Sequence, residues 1–334
     1  MPHAEVENET PFAFEQIYAA DEDGRPVLVL MVKATYALRQ DRLQLADEQL
    51  PVNVAGEAWG EPSESSYRYE PECAFFKPAT DVALIGHAHA PNKGATEVLV
   101  ALQVGPLKKA VHVVGERAWF RSMGRVSMTK PLCFEKLPLT WERAFGGWDR
   151  TDPAKPTFEP RNPVGVGFRA SPRHFEEGQK LPNLEDPSEP LREFGQKVTP
   201  VGVGFTSPHW QPRANYAGTY DEAWNQRRKP LLPKDFDRRF FNAAAPGLIA
   251  PGYLKGDEPV IIVGASPQGR LGFALPGQPP PAVTVRLGGP VTPDMHLDTV
   301  ILDLERSQVL LLWRGLVPLH RGPHDVRHIG ILST

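Results

Sequence analysis

Cysteine is scarce in this sequence, and long apolar runs are missing. Only Cys73 and Cys133 occur among 334 residues, too few for the disulfide framework of a small secreted protein. No apolar run reaches the ~18 residues of a membrane-spanning helix, and the acidic start of the chain lacks the basic and apolar regions of a secretory signal. We therefore expect a cytoplasmic protein with no membrane partner.

An excess of one charge is also missing. The 37 Lys and Arg residues and 40 Asp and Glu residues give a net charge of −3, which provides no electrostatic reason to expect a nucleic-acid partner. The sequence has no phosphate-binding loop, no His-Glu-x-x-His motif, no paired Cys-x-x-Cys motif and no Gly-x-Ser-x-Gly motif. We expect no enzymatic activity, no cofactor and no small-molecule substrate.

Proline is abundant, and the two ends of the chain show strand-like alternation. The 36 prolines and 29 glycines leave few stretches long enough for ordinary helices. The segment 27–38 predicts a strand that begins buried on both faces and ends half exposed, with Lys33, Thr35 and Arg39 on its outer face. Residues 105–106 and 305–307 predict hairpin turns. Further strands are predicted at 82–88, 96–104, 110–120, 260–263, 271–275, 283–287, 299–304 and 309–313.

The middle of the chain, residues 146–257, combines Pro and Gly with several tryptophans. Disordered linkers lack tryptophan, so we interpret this region as an ordered, loop-rich insertion with one short helix at 235–245. The predicted fold is all-β, mainly antiparallel and sandwich-like, with this central insertion and one or two short helices. We expect a single domain, 1–334, consisting of an N-terminal β part (11–145), the insertion (146–257), a C-terminal β part (258–319) and a solvent-exposed tail (320–334).

Two carboxylates in the insertion are candidates for chemistry. Asp149 and Asp221 each lie beside Gly and aromatic residues, as an acid/base pair of a glycosidase would. We favour the alternative that each carboxylate caps a turn by accepting hydrogen bonds from nearby backbone N–H groups. We also expect Arg161 to pair with one of these two acids.

Two sets of histidines have spacings seen in metal sites. His87 and His89 project from one face of a predicted strand. His320, His324 and His328 are spaced by four, but Gly322 and Pro323 interrupt the helix that would align them. We favour ordinary histidines in both places and predict no metal site.

Several motifs resemble one known family. The segment EPECAFFKPATDV, residues 70–82, is similar to the signature of the bacterial domain-of-unknown-function 2169 family. The resemblance covers the chain from about Phe12 to past Leu275. It continues through residues 145–149, 161–168, 181–187, 217–224 and 232–240.

The resemblance implies an adaptor or chaperone of the type VI secretion system. Such a protein binds a toxic effector in the producing cell and helps load it onto the spike protein VgrG, so effector and VgrG are the expected partners. The family supplies no catalytic residues. A client could add a strand to a sheet edge or dock into an aromatic groove, and we favour the groove. The candidate client-binding residues are the exposed members among Trp148, Trp210, Tyr216, Tyr220 and Trp224.

Two other functions remain open at this point. A hydrolase built on Asp149 and Asp221 predicts a deep cleft in which both carboxylates converge. A carbohydrate-binding β-sandwich predicts an exposed flat row of aromatic side chains and no protein client.

Overall fold

Strands dominate the regular structure of this protein. The computed structural model describes residues 4–39 and 41–332. The strands are β1 (Glu5–Asn8), β2 (Ala13–Ala20), β3 (Pro26–Arg39), β4 (Arg42–Leu45), β5 (Glu57–Ala58), β6 (Tyr67–Tyr69), β7 (Asp81–Ile85), β8 (His87–His89), β9 (Glu97–Val104), β10 (Leu107–Val114), β11 (Trp119–Ser122), β12 (Arg125–Met128), β13 (Lys136–Pro138), β14 (Phe145–Gly146), β15 (Trp148–Asp149), β16 (Thr157–Phe158), β17 (Val166–Gly167), β18 (Leu184–Glu185), β19 (Pro259–Val263), β20 (Arg270–Ala274), β21 (Ala282–Arg286), β22 (Pro290–Val291), β23 (His296–Asp303), β24 (Gln308–Pro318) and β25 (His328–Leu332).

Helices are short. Within the described ranges there is one α-helix, α1 (Glu222–Arg227), and no helix long and apolar enough to cross a membrane. The predicted all-β fold with few helices is confirmed. Single-turn 3₁₀ segments lie at Trp141–Arg143, Arg213–Tyr216, Arg238–Phe241 and Pro323–Asp325.

Three larger sheets, mostly antiparallel, organise the molecule. The first sheet has the order β2-β3-β24-β23-β7, with β4 also paired to β3. The second sheet has the order β18-β10-β9-β19-β20, and the third has the order β1-β25-β21-β22. Buried residues of all three sheets, among them Leu30 of β3, Leu102 of β9 and Val283 of β21, belong to one hydrophobic cluster. The sheets therefore share a common core.

Strand β3 is buried on both faces for almost its whole length. Leu28, Leu30 and Val32 pack into the common core, while Val29 and Met31 on the other face pack in a separate cluster. The expected half-exposed end is wrong at Lys33 and Thr35, which are 2% and 0% exposed. Both polar side chains can be buried because each has a partner in the protein. The Lys33 ammonium group pairs with Glu72, and the Thr35 hydroxyl accepts a hydrogen bond from the Leu50 backbone N–H.

The expected hairpin turns are confirmed. Val104 of β9 pairs with Leu107 of β10 across residues 105–106, and Asp303 of β23 pairs with Gln308 of β24 across residues 305–307. The predicted strand 110–120 is divided, because β10 ends at Val114 and β11 begins at Trp119.

The C-terminal segment is not a solvent-exposed tail. Strand β25 lies between β1 and β21 in the third sheet, and Ile329 and Ile331 are fully buried. The prediction was wrong because only two apolar residues alternate here, next to histidine and glycine, which is too short a pattern to read as a strand.

The predicted helix at 235–245 is also wrong. A single 3₁₀ turn, Arg238–Phe241, begins after Asp237, whose carboxylate accepts the Arg239 backbone N–H. The residues after that turn are extended, because the Ala243 N–H donates to Asp81 and its carbonyl accepts from Thr206. The N–H and C=O groups of Ala243 are therefore paired with Asp81 and Thr206 and are not available for the hydrogen bonds of a helix.

Candidate functional site

The structure separates the candidate aromatic residues into surface and core. Trp210 has no exposed surface, and its ring packs edge to face on Trp141 with centroids 5.8 Å apart. Its indole N–H donates to Nε2 of His209 at 3.1 Å. The prediction is wrong for Trp210, because a side chain with no exposed surface cannot contact a client.

Trp148 is exposed and forms a pair with a residue that the sequence did not indicate. Strands β15 and β16 form a short antiparallel hairpin in which Trp148 lies directly opposite Phe158. The two side chains are 42% and 41% exposed, and their ring centroids are 4.5 Å apart. The Arg150 guanidinium lies 5.5 Å from the Trp148 ring centroid. We call Trp148 and Phe158 the hairpin pair.

A buried carboxylate holds the hairpin pair in place. Asp149 is 2% exposed and accepts hydrogen bonds from the backbone N–H groups of Thr151 (3.1 Å) and Ala170 (2.8 Å). Nδ1 of His174 lies 2.6 Å from Oδ2 of Asp149. Burial raises the pKa of Asp149, but the hydrogen bonds from His174, Ala170 and Thr151 outweigh burial and hold that pKa below its usual value.

Replacing this carboxylate by an amide should weaken the hairpin. We expect Asp149→Asn to lower the free energy of unfolding at pH 7 by about 1–3 kcal/mol, because the donors of Thr151, Ala170 and His174 lose a buried, charged acceptor. The folded-state pKa lies below the unfolded value of about 3.9, so the stabilisation is complete at neutral pH and fades as the pH falls below about 4. Urea denaturation of both proteins between pH 7 and pH 3 measures this difference.

Asp152 provides the matched control in the same hairpin. It is exposed and accepts one hydrogen bond, from the Ala154 N–H at 3.0 Å. Asp152→Asn should change stability by less than about 0.5 kcal/mol at every pH. Equal effects of the two substitutions would contradict the anchoring role of Asp149.

A second aromatic pair lies at the start of α1. Tyr220 is 52% exposed, and its ring meets the half-buried Trp224 ring at a centroid distance of 4.7 Å. Asp221 is the N-cap of α1 and accepts the Trp224 backbone N–H at 2.8 Å. Tyr216 is half-buried beneath Arg239, whose guanidinium lies 4.4 Å from the Tyr216 ring centroid.

The two candidate carboxylates have separate structural roles. Asp149 is buried and joins the hairpin to Ala170 and His174, whereas Asp221 is exposed and caps α1. Within the described ranges their hydrogen-bond partners do not overlap. The expected pairing of Arg161 with one of them is wrong, because Arg161 pairs with Glu159, two residues away, with Nε 2.6 Å from Oε1.

The segment 70–82 forms a buried ionic cluster. Lys77 is 3% exposed, and its Nζ lies 3.1 Å from Glu70 Oε2 and 2.8 Å from Asp81 Oδ2. Glu70 also accepts from Arg213 Nη2 at 2.8 Å. Burial lowers the pKa of Lys77, but the carboxylates of Asp81 and Glu70 outweigh it and hold that pKa above its usual value.

The same segment is bound to the first sheet by further charges. Glu72 pairs with Lys33 of β3, with Oε1 2.8 Å from Nζ. Arg314 of β24 pairs with Asp298 of β23 and donates to the backbone carbonyls of Glu72 and Ala74. Each of these charged side chains has a partner inside the protein, so the segment that carries the resemblance fastens the chain to the first sheet.

The two sets of candidate histidines lie on different elements of the fold. Across residues 4–39 and 41–332, no group of three or more His, Cys, Asp or Glu side chains is placed to hold a metal ion. His87 and His89 lie on β8, which pairs with β13. His320 precedes the 3₁₀ turn that contains His324, and His328 begins β25.

The sequence was compared with known families, curated proteins and solved structures. A family model described as "Uncharacterized protein conserved in bacteria (DUF2169)" matches residues 23–314. No curated protein and no solved structure matches the chain.

Proposed function

This chain belongs to the DUF2169 family of bacterial proteins, and on that premise we propose that it is an adaptor of the type VI secretion system. It binds a toxic effector in the cytoplasm of the producing cell and helps load it onto VgrG. The partners are then two proteins, and the chain contributes a binding surface rather than a reaction.

The exposed hairpin pair is the observation that best supports this proposal. Large aromatic side chains dominate protein interfaces, because they bury much apolar area and lose little conformational freedom. The rings of Trp148 and Phe158 pack against each other at the surface, and Arg150 adds a cation to the same patch. Asp149 fixes the hairpin beneath them, so little ordering is needed when a client binds.

Co-purification with a toxic effector and a VgrG protein of the same bacterium tests the proposal. We expect the wild-type chain to form a stable complex with at least one of the two proteins. The double variant Trp148→Ala, Phe158→Ala should reduce the affinity at least about 30-fold, because truncating one hot-spot aromatic residue costs roughly 2 kcal/mol. Isothermal titration calorimetry with the purified partner measures the change.

Two exposed apolar residues elsewhere provide the matched control. Met123 and Leu132 are 101% and 63% exposed, and the double variant Met123→Ala, Leu132→Ala should bind as the wild type does. If neither protein binds the wild-type chain, the adaptor proposal is wrong. If a partner binds and the hairpin variant keeps full affinity, only the placement of the binding surface is wrong.

A further inference from the structure

A cavity beside β8 lies where several strand ends meet. Its volume is about 650 Å³. It is bounded by β8, β13, the turn between β19 and β20, and the turn between β23 and β24. Cavities of this size hold small-molecule ligands in many proteins. The adaptor function proposed above makes no use of it.

Nitrogen donors line one wall of the cavity. His87 and His89 are two residues apart on β8, so their side chains share one face of the strand. Lys136 of β13 is the register partner of His89. Arg270, at the start of β20, adds a guanidinium to the lining.

Two of these donors are cations without a partner in the protein. Lys136 and Arg270 are exposed, and neither forms a salt bridge with a carboxylate in the described ranges. Burial lowers the pKa of both imidazoles below the usual value, and the charge of Lys136 adds to the effect. This wall therefore carries positive charge that nearby acids do not neutralise.

Few negative charges oppose this wall. Glu305 lines the cavity, but its carboxylate lies 2.9 Å from Nη2 of Arg68 and 3.3 Å from Nδ1 of His87. Asp41 is the other acidic residue of the lining. Arg68 also lies 3.7 Å from Asp303 and 3.8 Å from Glu57. Among the charged residues of the lining, Lys136, Arg270 and Asp41 are the ones that form no ion pair in the described ranges.

A buried hydroxyl also belongs to the lining. Ser266, in the turn between β19 and β20, lines the cavity and is 5% exposed. Its Oγ has no hydrogen-bond partner among the described residues. Buried polar groups in proteins are normally paired, so this hydroxyl is an uncommon polar feature of the lining.

We propose that this cavity binds a small organic anion through carboxylate or phosphate oxygens, held by His87, His89, Lys136 and Arg270. Arginine and lysine are the side chains that recognise such oxygens best. Phe, Tyr and Trp are absent from the described lining residues, which argues against a nucleobase as the bound group. The volume is large enough for an organic molecule that carries the anionic group.

Calorimetric titration of the full chain with citrate and with glucose 6-phosphate tests this site. We expect saturable binding of one probe at a single site, and the probe that binds identifies a carboxylate or a phosphoryl ligand. The double variant Lys136→Gln, Arg270→Gln should bind that probe at least about tenfold more weakly, because two charge-assisted hydrogen bonds are lost.

The control removes the same charge elsewhere. Lys93 and Arg125 are exposed and lie outside the cavity lining, and Lys93→Gln, Arg125→Gln should bind as the wild type does. Both double variants should melt at the wild-type temperature. Absence of saturable binding of either probe, or equal weakening by the two double variants, would overturn the proposal. Neither result bears on the adaptor function, which is tested with protein partners.

Discussion

Replacing Lys77 with methionine is expected to lower the free energy of unfolding by about 3–5 kcal/mol, because it leaves buried carboxylates without their cation. Lys77 lies between Glu70 and Asp81 and also donates to Thr299 at 3.2 Å. Asp81 itself is 0% exposed, so water cannot replace the lost ammonium group. Urea denaturation at pH 7 should show a lower midpoint.

Lys93→Met provides the matched control for this substitution. Lys93 is exposed and forms no salt bridge in the part of the chain described, so its replacement should change stability by less than about 0.5 kcal/mol. A Lys77→Met protein as stable as the control would show that the ionic cluster does not fasten residues 70–82 to the first sheet.

The ionic cluster also shows what the sequence pattern could not predict. The segment 70–82 was recognisable as a motif, but its charged side chains pair with residues that lie far away in the sequence. Glu70 meets Arg213, and Glu72 meets Lys33. Neither pairing follows from spacing along the chain, because each depends on how loops cross the first sheet.

Strand prediction succeeded where the alternation was long and failed where tertiary contacts decide. Strand β3 and the hairpins at residues 105–106 and 305–307 carry strong local signals and are confirmed. Strand β25 carries only Ile329 and Ile331 as signals. The segment 235–245 has apolar residues at helical spacing, but Asp81 binds the backbone N–H of Ala243 and keeps it extended.

The sequence likewise indicated some residues of the candidate sites and missed others. Trp148 could be selected from sequence because tryptophan in a glycine-rich turn is conspicuous. Phe158 could not, because β16 has two residues and so no alternation to detect. The cavity beside β8 draws His87, Lys136 and Arg270 from three strands, and their proximity depends on the sheet packing.

Replacing Trp210 with alanine is expected to lower the free energy of unfolding by about 3–5 kcal/mol, because it leaves a large void in the common core. Trp210 is fully buried against Trp141. Trp141 in turn fits closely over Gly202, where an added Cβ would lie 2.7 Å from its ring. The rings around the void are therefore held by close packing and cannot collapse easily to fill it.

Trp148→Ala is the natural comparison, because it removes the same side chain from the surface. Trp148 is 42% exposed, so its loss should cost about 1 kcal/mol or less in stability while weakening client binding. Trp210→Ala should lose much more stability than Trp148→Ala. At a temperature where Trp210→Ala remains folded, its affinity for the client should equal that of the wild type. If Trp210→Ala were as stable as Trp148→Ala, the assignment of Trp210 to the core would be wrong. Loss of client affinity in folded Trp210→Ala would show that the insertion transmits core packing to the binding surface.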